Sequence, residues 1–136
     1  MKMFLGEYQP NLTEGARIAL PKKLRDQISG ASVILSRGFE HCIFGYAKDE
    51  WLKEAEKQVS LPISDARVRT LKRYMFSGAL GVELDTQGRF VIPQSLKEYA
   101  QIEGEMVVIG AGDHFEIWNS ENWRKHLEVI EKELAG

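Results

Sequence analysis

Two arginines stand out by their surroundings: Arg17 in LTEGARIALPKKL, residues 12–24, and Arg89 in LDTQGRFVIPQSL, residues 84–96. The segments align without a gap at a spacing of 72, so Leu12, Arg17, Pro21 and Leu24 recur as Leu84, Arg89, Pro93 and Leu96. In each, the arginine ends a short polar turn and is followed by an apolar triplet, Ile18-Ala19-Leu20 or Phe90-Val91-Ile92. A guanidinium projected from a tight turn is a planar fork that suits phosphate or the O6/N7 edge of guanine.

The two turns differ in what can hold that fork. Asp85 precedes Arg89 by four residues and can accept turn N–H groups or clasp the guanidinium, and an internal clasp is the preferred reading. Gly88 can supply a positive φ. In the first copy Thr13 replaces Asp85, the glycine moves one place earlier to Gly15, and Glu14 is the nearest acid. Thr13, Gly15, Asp85 and Gly88 thus read as turn-ordering residues. Lys22, Lys23 and Arg25 follow Arg17 closely, whereas only Lys97 follows Arg89. That pattern makes the first copy the main nucleic-acid-facing surface. Arg17 is expected on bases and Lys22, Lys23 and Arg25 on phosphates, with Arg89 and Lys97 as the second-copy counterparts.

The repeat reaches well beyond these turns. Met3-Phe4-Leu5-Gly6 matches Met75-Phe76-Ser77-Gly78, Ser32–Leu35 resembles Met106–Ile109, Gly38 falls on Gly112, and Trp51 falls on Trp123. The chain is one unit of about 70 residues written twice. Each unit reads as an apolar strand (Met3–Gly6; Met75–Leu80), the arginine turn, and a second strand (Arg17–Leu20; Arg89–Ile92). Pro21 and Pro93 then open a helical turn. A hairpin follows, Ser32–Ser36 with His41–Tyr46, and Met106–Gly110 with His114–Asn119. Helices close the units. One follows Asp49 and carries Trp51, Leu52, Ala55 and Val59; one is capped by Ser64; the last is capped by Ser120 and carries Trp123, Leu127, Ile130 and Leu134. Trp51 and Trp123 read as packing residues. Units this small cannot bury enough surface alone, so residues 1–62 and 63–136 are expected to interlock in one α+β, mainly β, pseudo-twofold barrel.

Composition allows this and excludes much else. The 136 residues carry a net charge of −2, but residues 1–72 hold 12 Lys/Arg against 9 Asp/Glu and residues 73–136 hold 6 against 11. A local basic patch is thereby hidden in an acidic whole. No apolar run reaches the length of a bilayer span, the N-terminus lacks a signal-peptide pattern, and one cysteine, Cys42, excludes an internal disulfide framework, so a cytoplasmic protein is expected. An enzyme is disfavoured. VVIGAGDH lacks the third glycine of a dinucleotide loop, His41 and Cys42 are adjacent and so face opposite sides of a strand, and His41, His114 and His126 show no metal spacing. No cofactor or metal is expected. RVRTLKR, residues 67–73, reads as a solvated helix face outside the nucleic-acid site; the alternative is pairing with the acidic second half of the same chain or of a neighbour. The rival to nucleic-acid binding is a protein-interaction or antitoxin-like module on the same scaffold.

The chain resembles the MraZ family of bacterial transcriptional regulators, which is built from two AbrB-like swapped-hairpin domains. The resemblance rests on MFLGEY, the two Arg-Ile/Phe-x-Leu/Ile-Pro segments, SRGFEHCIFGY, RTLKRYMFSGA, LDTQGRFVIP and GDHFEIW, and it spans nearly the whole length. It implies a double-split β-barrel with flanking helices, assembled as a ring of subunits. It further implies binding to short tandem direct repeats in double-stranded DNA upstream of its own gene in the division and cell-wall cluster, repression there, and association with the nucleoid. The family's Asp-x-x-x-Arg motif is intact at Asp85…Arg89, and at Thr13…Arg17 it keeps the arginine alone.

Overall fold

The computed structural model describes residues 2–13 and 17–136; Gly15 and Glu14 lie outside the described residues. The elements in chain order are β1 (Glu7–Tyr8), β2 (Leu12–Thr13), β3 (Arg17–Ala19), α1 (Lys22–Arg25), β4 (Ser32–Arg37), β5 (Ile43–Ala47), α2 (Lys48–Val59), α3 (Ala66–Ser77), β6 (Leu80–Glu83), β7 (Arg89–Val91), α4 (Gln94–Tyr99), β8 (Met106–Gly110), β9 (Phe115–Asn119) and α5 (Ser120–Ala135). The fold is mixed α+β, and its strands form two open antiparallel sheets.

The smaller sheet joins the two arginine segments. Its order is β2-β3-β7, with Arg17 opposite Val91, Ile18 opposite Phe90 and Ala19 opposite Arg89. Ile18 and Phe90 are 0% and 2% exposed, so the alternate residues Arg17, Ala19, Arg89 and Val91 project from the other face. Ile18 and Phe90 are also the same position of the repeat, 72 apart. A local twofold axis therefore passes between them.

The larger sheet runs β1-β8-β9-β5-β4-β6. At its centre Ile43 faces Ile117, again equivalent positions of the two copies. Its edges are exchanged. β1 from the first half pairs with β8 of the second, and β6 from the second half pairs with β4 of the first. Pro21 and Pro93, with φ of −53° and −55°, start α1 and α4, and those helices drop Leu24 and Leu96 into the core between the sheets. Phe4 meets Phe115 edge-on there at 5.7 Å.

Several local expectations change. Met75–Leu80 does not form one strand, because α3 keeps its helical stripe through Ser77 and β6 starts only after Gly78. Among residues 3–6 only Phe4 makes a bridge, to Gly112, and the first strand is Glu7–Tyr8. His41 and Cys42 sit in the β4–β5 loop rather than on a strand, with Glu40 and His41 at φ of 67° and 60°. The caps of α3 and α5 are Asp65, one residue after the expected Ser64, and Asn119, one residue before the expected Ser120; their side chains accept from the N–H of Arg67 and Asn122. A carboxylate or amide reaches the first-turn N–H from that position. Trp51 packs edge-on against Phe76, and Trp123 leans on Trp118. Leu52, Val59 and Leu134, by contrast, are 49%, 62% and 83% exposed. Among the described residues the cations of residues 67–73 make no ion pair with the acidic half of the chain: Arg69 donates to the carbonyls of Ile63 and Ser64, and Lys72 to those of Val59 and Leu61. They tie down the α2–α3 connection.

Candidate nucleic-acid interface

The second turn is built around one carboxylate. The N–H of Asp85 donates to the carbonyl of Arg89 at 2.8 Å, and the N–H of Gly88 donates to the carbonyl of Asp85 at 2.9 Å, closing the loop. Gly88 lies at φ 75°, a left-handed conformation that glycine adopts freely. Asp85 Oδ1 accepts from the N–H groups of Gln87 and Arg89 at 2.9 and 2.8 Å, while Oδ2 accepts from Arg89 Nε at 2.8 Å. These bonds, led by the one from the Arg89 backbone, hold the Asp85 carboxyl below the usual carboxylate range. The clasp read from the sequence is present, and it spends only Nε. Both terminal nitrogens of the guanidinium remain without a hydrogen bond among the described residues.

The first turn is held differently. Thr13 pairs with Arg17 across β2 and β3, and its hydroxyl donates to the Arg17 carbonyl at 3.1 Å. Thr13 orders the backbone, as Asp85 does, but a neutral hydroxyl provides no counter-charge for the guanidinium.

Both arginines leave the same outer sheet face. Arg17 lies diagonally across one register step from Arg89, which places such residues roughly 7–8 Å apart. The cations around them are distributed in a way the linear sequence hides. Because β3 and β7 run antiparallel, the end of β3 that leads to Pro21 and α1 meets the second turn: the N–H of Leu20 donates to the carbonyl of Gly88 at 2.9 Å. The Arg25 side chain lies over Gly88, where any β-carbon would collide with it. Arg25 therefore packs on the turn that carries Arg89, although it follows Arg17 in the chain. Lys22 forms an exposed pair with Asp26 at 3.0 Å. Lys23 is exposed and unpaired among the described residues. Lys97 lines a polar hollow with Glu98, Glu103 and Asn119. Sequence proximity missed the Arg25–Gly88 contact; the signal that could have found it is the equivalence of Ile18 and Phe90, since antiparallel pairing of equivalent strands carries each following helix to the other copy's turn.

A second charged cluster lies in the larger sheet. His114 bonds Asp113 through Nδ1 at 2.8 Å and Glu116 through Nε2 at 2.7 Å, and its ring stacks on Tyr46. Burial pulls its pKa down, but the two carboxylates outweigh that and raise it. Glu116 also accepts from Trp118 Nε1, and burial, which raises its pKa, is outweighed by its bonds from His114 and Trp118. Desolvation in the same cluster pushes the Cys42 thiol well up, so Cys42 is a packed thiol.

Comparison with known proteins matches this arrangement copy by copy. The family model described as "MraZ protein, putative antitoxin-like" matches residues 3–74 and 75–135. The chain is 42% identical over 130 residues to the transcriptional regulator MraZ of Halothermothrix orenii, covering 96% of this chain and 90% of that one. It is 45% identical over 126 residues to the protein of the same name from Syntrophomonas wolfei, with 93% and 87% covered. For that of Clostridium beijerinckii the figures are 44% over 126 residues, with 93% and 88% covered.

Proposed function

Because the chain belongs to the MraZ family, we propose that it is a sequence-specific DNA-binding transcriptional regulator. On this reading it represses transcription by occupying tandem direct repeats upstream of its own gene in the division and cell-wall cluster. It performs no chemistry and needs no cofactor. It works in the cytoplasm, on the nucleoid. Among the described residues no helix is long and apolar enough to cross a membrane.

The observation that carries the proposal is the outer face of the small sheet, where symmetry-equivalent Arg17 and Arg89 project while Ile18 and Phe90 anchor the opposite side. Arg25, packed on Gly88, borders this face and suits phosphate, and exposed Lys23 of the same short helix suits phosphate as well. Lys22, paired with Asp26, and Lys97, set among acids, are the weaker members of the set. The same reading covers the architecture: repeats 1–62 and 63–136 form the halves of a pseudo-twofold double-split barrel, and the exchanged edge strands support that interlock.

A single face offers modest affinity, so self-association matters. Phe39, 49% exposed, opens an apolar groove with Leu71 and Tyr74, and Val59 and Ile63 are 62% and 69% exposed nearby in the chain. These surfaces support a ring-like homo-oligomer whose neighbouring subunits engage successive DNA repeats, making the second contact intramolecular. The groove also favours the rival reading of a protein-interaction, antitoxin-like module. Salt separates the two. About four phosphate contacts per subunit predict that binding to the upstream DNA weakens roughly 100-fold between 50 and 200 mM salt. Binding that ignores salt and sequence overturns the DNA reading.

A further inference from the structure

The two turns are alike in position and unlike in preparation, and this assigns them different tasks if the DNA-binding reading above holds. We infer that Arg89, positioned by Asp85, is the base-reading arginine, that Lys23 and Arg25 of the first repeat flank it on phosphate, and that Arg17 supplies binding strength with little sequence preference.

Asp85 fixes Arg89 twice, at its backbone N–H and at Nε, each at 2.8 Å. The plane of the guanidinium is set before DNA arrives, and its two terminal nitrogens are the pair that meets O6 and N7 of a guanine. The carboxylate also cancels the charge of Arg89. A neutral Asp–Arg pair is a poor ligand for phosphate and a good one for a base edge, where hydrogen-bond direction rather than charge selects the partner. Arg17 has the opposite character. Thr13 holds its carbonyl and leaves the guanidinium uncompensated by that position, which suits a phosphate. Arg25, which sequence order attaches to Arg17, lies at the other turn, and the Leu20–Gly88 hydrogen bond brings the start of its helix there.

The test is the ratio of affinities for the protein's own upstream DNA and a scrambled duplex, measured for the full chain. Asp85→Asn keeps an oxygen for the two turn N–H groups but cannot accept from Arg89 Nε as the carboxylate does. It should cut the ratio about tenfold, and it should tighten scrambled DNA while weakening the cognate site, because a negative charge has gone. A merely structural role would weaken both. Arg89→Lys, which keeps the charge and loses the fork, should lower the ratio similarly, and Asp85→Asn added to it should lower it no further. Arg17→Lys should weaken both duplexes alike. A wild-type protein that discriminates, with the ratio intact in Asp85→Asn or collapsed by Arg17→Lys, overturns this inference alone. A wild-type protein that does not discriminate overturns the DNA reading with it.

Discussion

The first and second arginine turns begin from nearly the same sequence, and one substitution separates their physics. At position 85 a carboxylate gathers two N–H groups and a guanidinium; at the equivalent position 13 a hydroxyl donates to a carbonyl. A duplicated fold thus presents two arginines at symmetric sites, and among the described residues only Arg89 is clasped, through its Nε, by a carboxylate. The exchange of neighbours sharpens the contrast, since Arg25 of the first copy packs on Gly88 of the second. Duplication frees one copy to specialise without altering the scaffold that holds both.

Breaking the scaffold should erase the comparison altogether. Phe90 is 2% exposed and sits on the local axis opposite Ile18. Phe90→Ala should cost about 3–5 kcal/mol in denaturant unfolding and disable both turns together. A smaller loss is expected from Gly88→Ala, which forces a side chain into φ 75° and against Arg25. About 1–3 kcal/mol of destabilisation should accompany weaker DNA binding. Thr13→Asp would give the first turn the missing carboxylate. Thermal unfolding should change by less than about 1 kcal/mol, since the site is exposed, while binding to scrambled DNA weakens as an added carboxylate offsets the charge of Arg17. If scrambled binding is unaffected, Arg17 does not sit on phosphate.

The smallest effect lies outside the turns. The second hairpin holds His114 between Asp113 and Glu116, whereas the positions equivalent to Asp113, His114 and Glu116 in the first copy are Phe39, Glu40 and Cys42. The folded pKa of His114 is raised above its ordinary 6.5. Its contribution to stability is therefore complete below that value and is lost as pH rises through the folded pKa. The melting temperature should fall slightly from pH 6 to pH 9 in the wild type and less in His114→Phe.

Much of this was legible in the sequence, because the signals were local. The prolines that start α1 and α4, the two hairpins and the Asp85 clasp each depend on residues close in sequence, and the repeat is visible by aligning the chain with itself. The partners of the cations were not legible. Lys22, Lys23 and Arg25 stand beside Arg17 in the chain, but antiparallel pairing of β3 with β7 carries Arg25 to the other turn, and that pairing spans 72 residues. Likewise the 3.6-residue stripe through Met75 outcompeted the weaker strand signal that the repeat suggested for Met75–Leu80. The basic run of α3 found carbonyls at the preceding turn, a partner that charge patterning does not display.

The most direct test of the division between the turns is guanine-N7 methylation interference on the upstream DNA, read for the wild type, Arg89→Ala and Arg17→Ala. Arg89→Ala should abolish interference at one guanine of each repeat. Arg17→Ala should bind more weakly with every interfering guanine retained. Interference that survives Arg89→Ala and vanishes in Arg17→Ala would contradict the account.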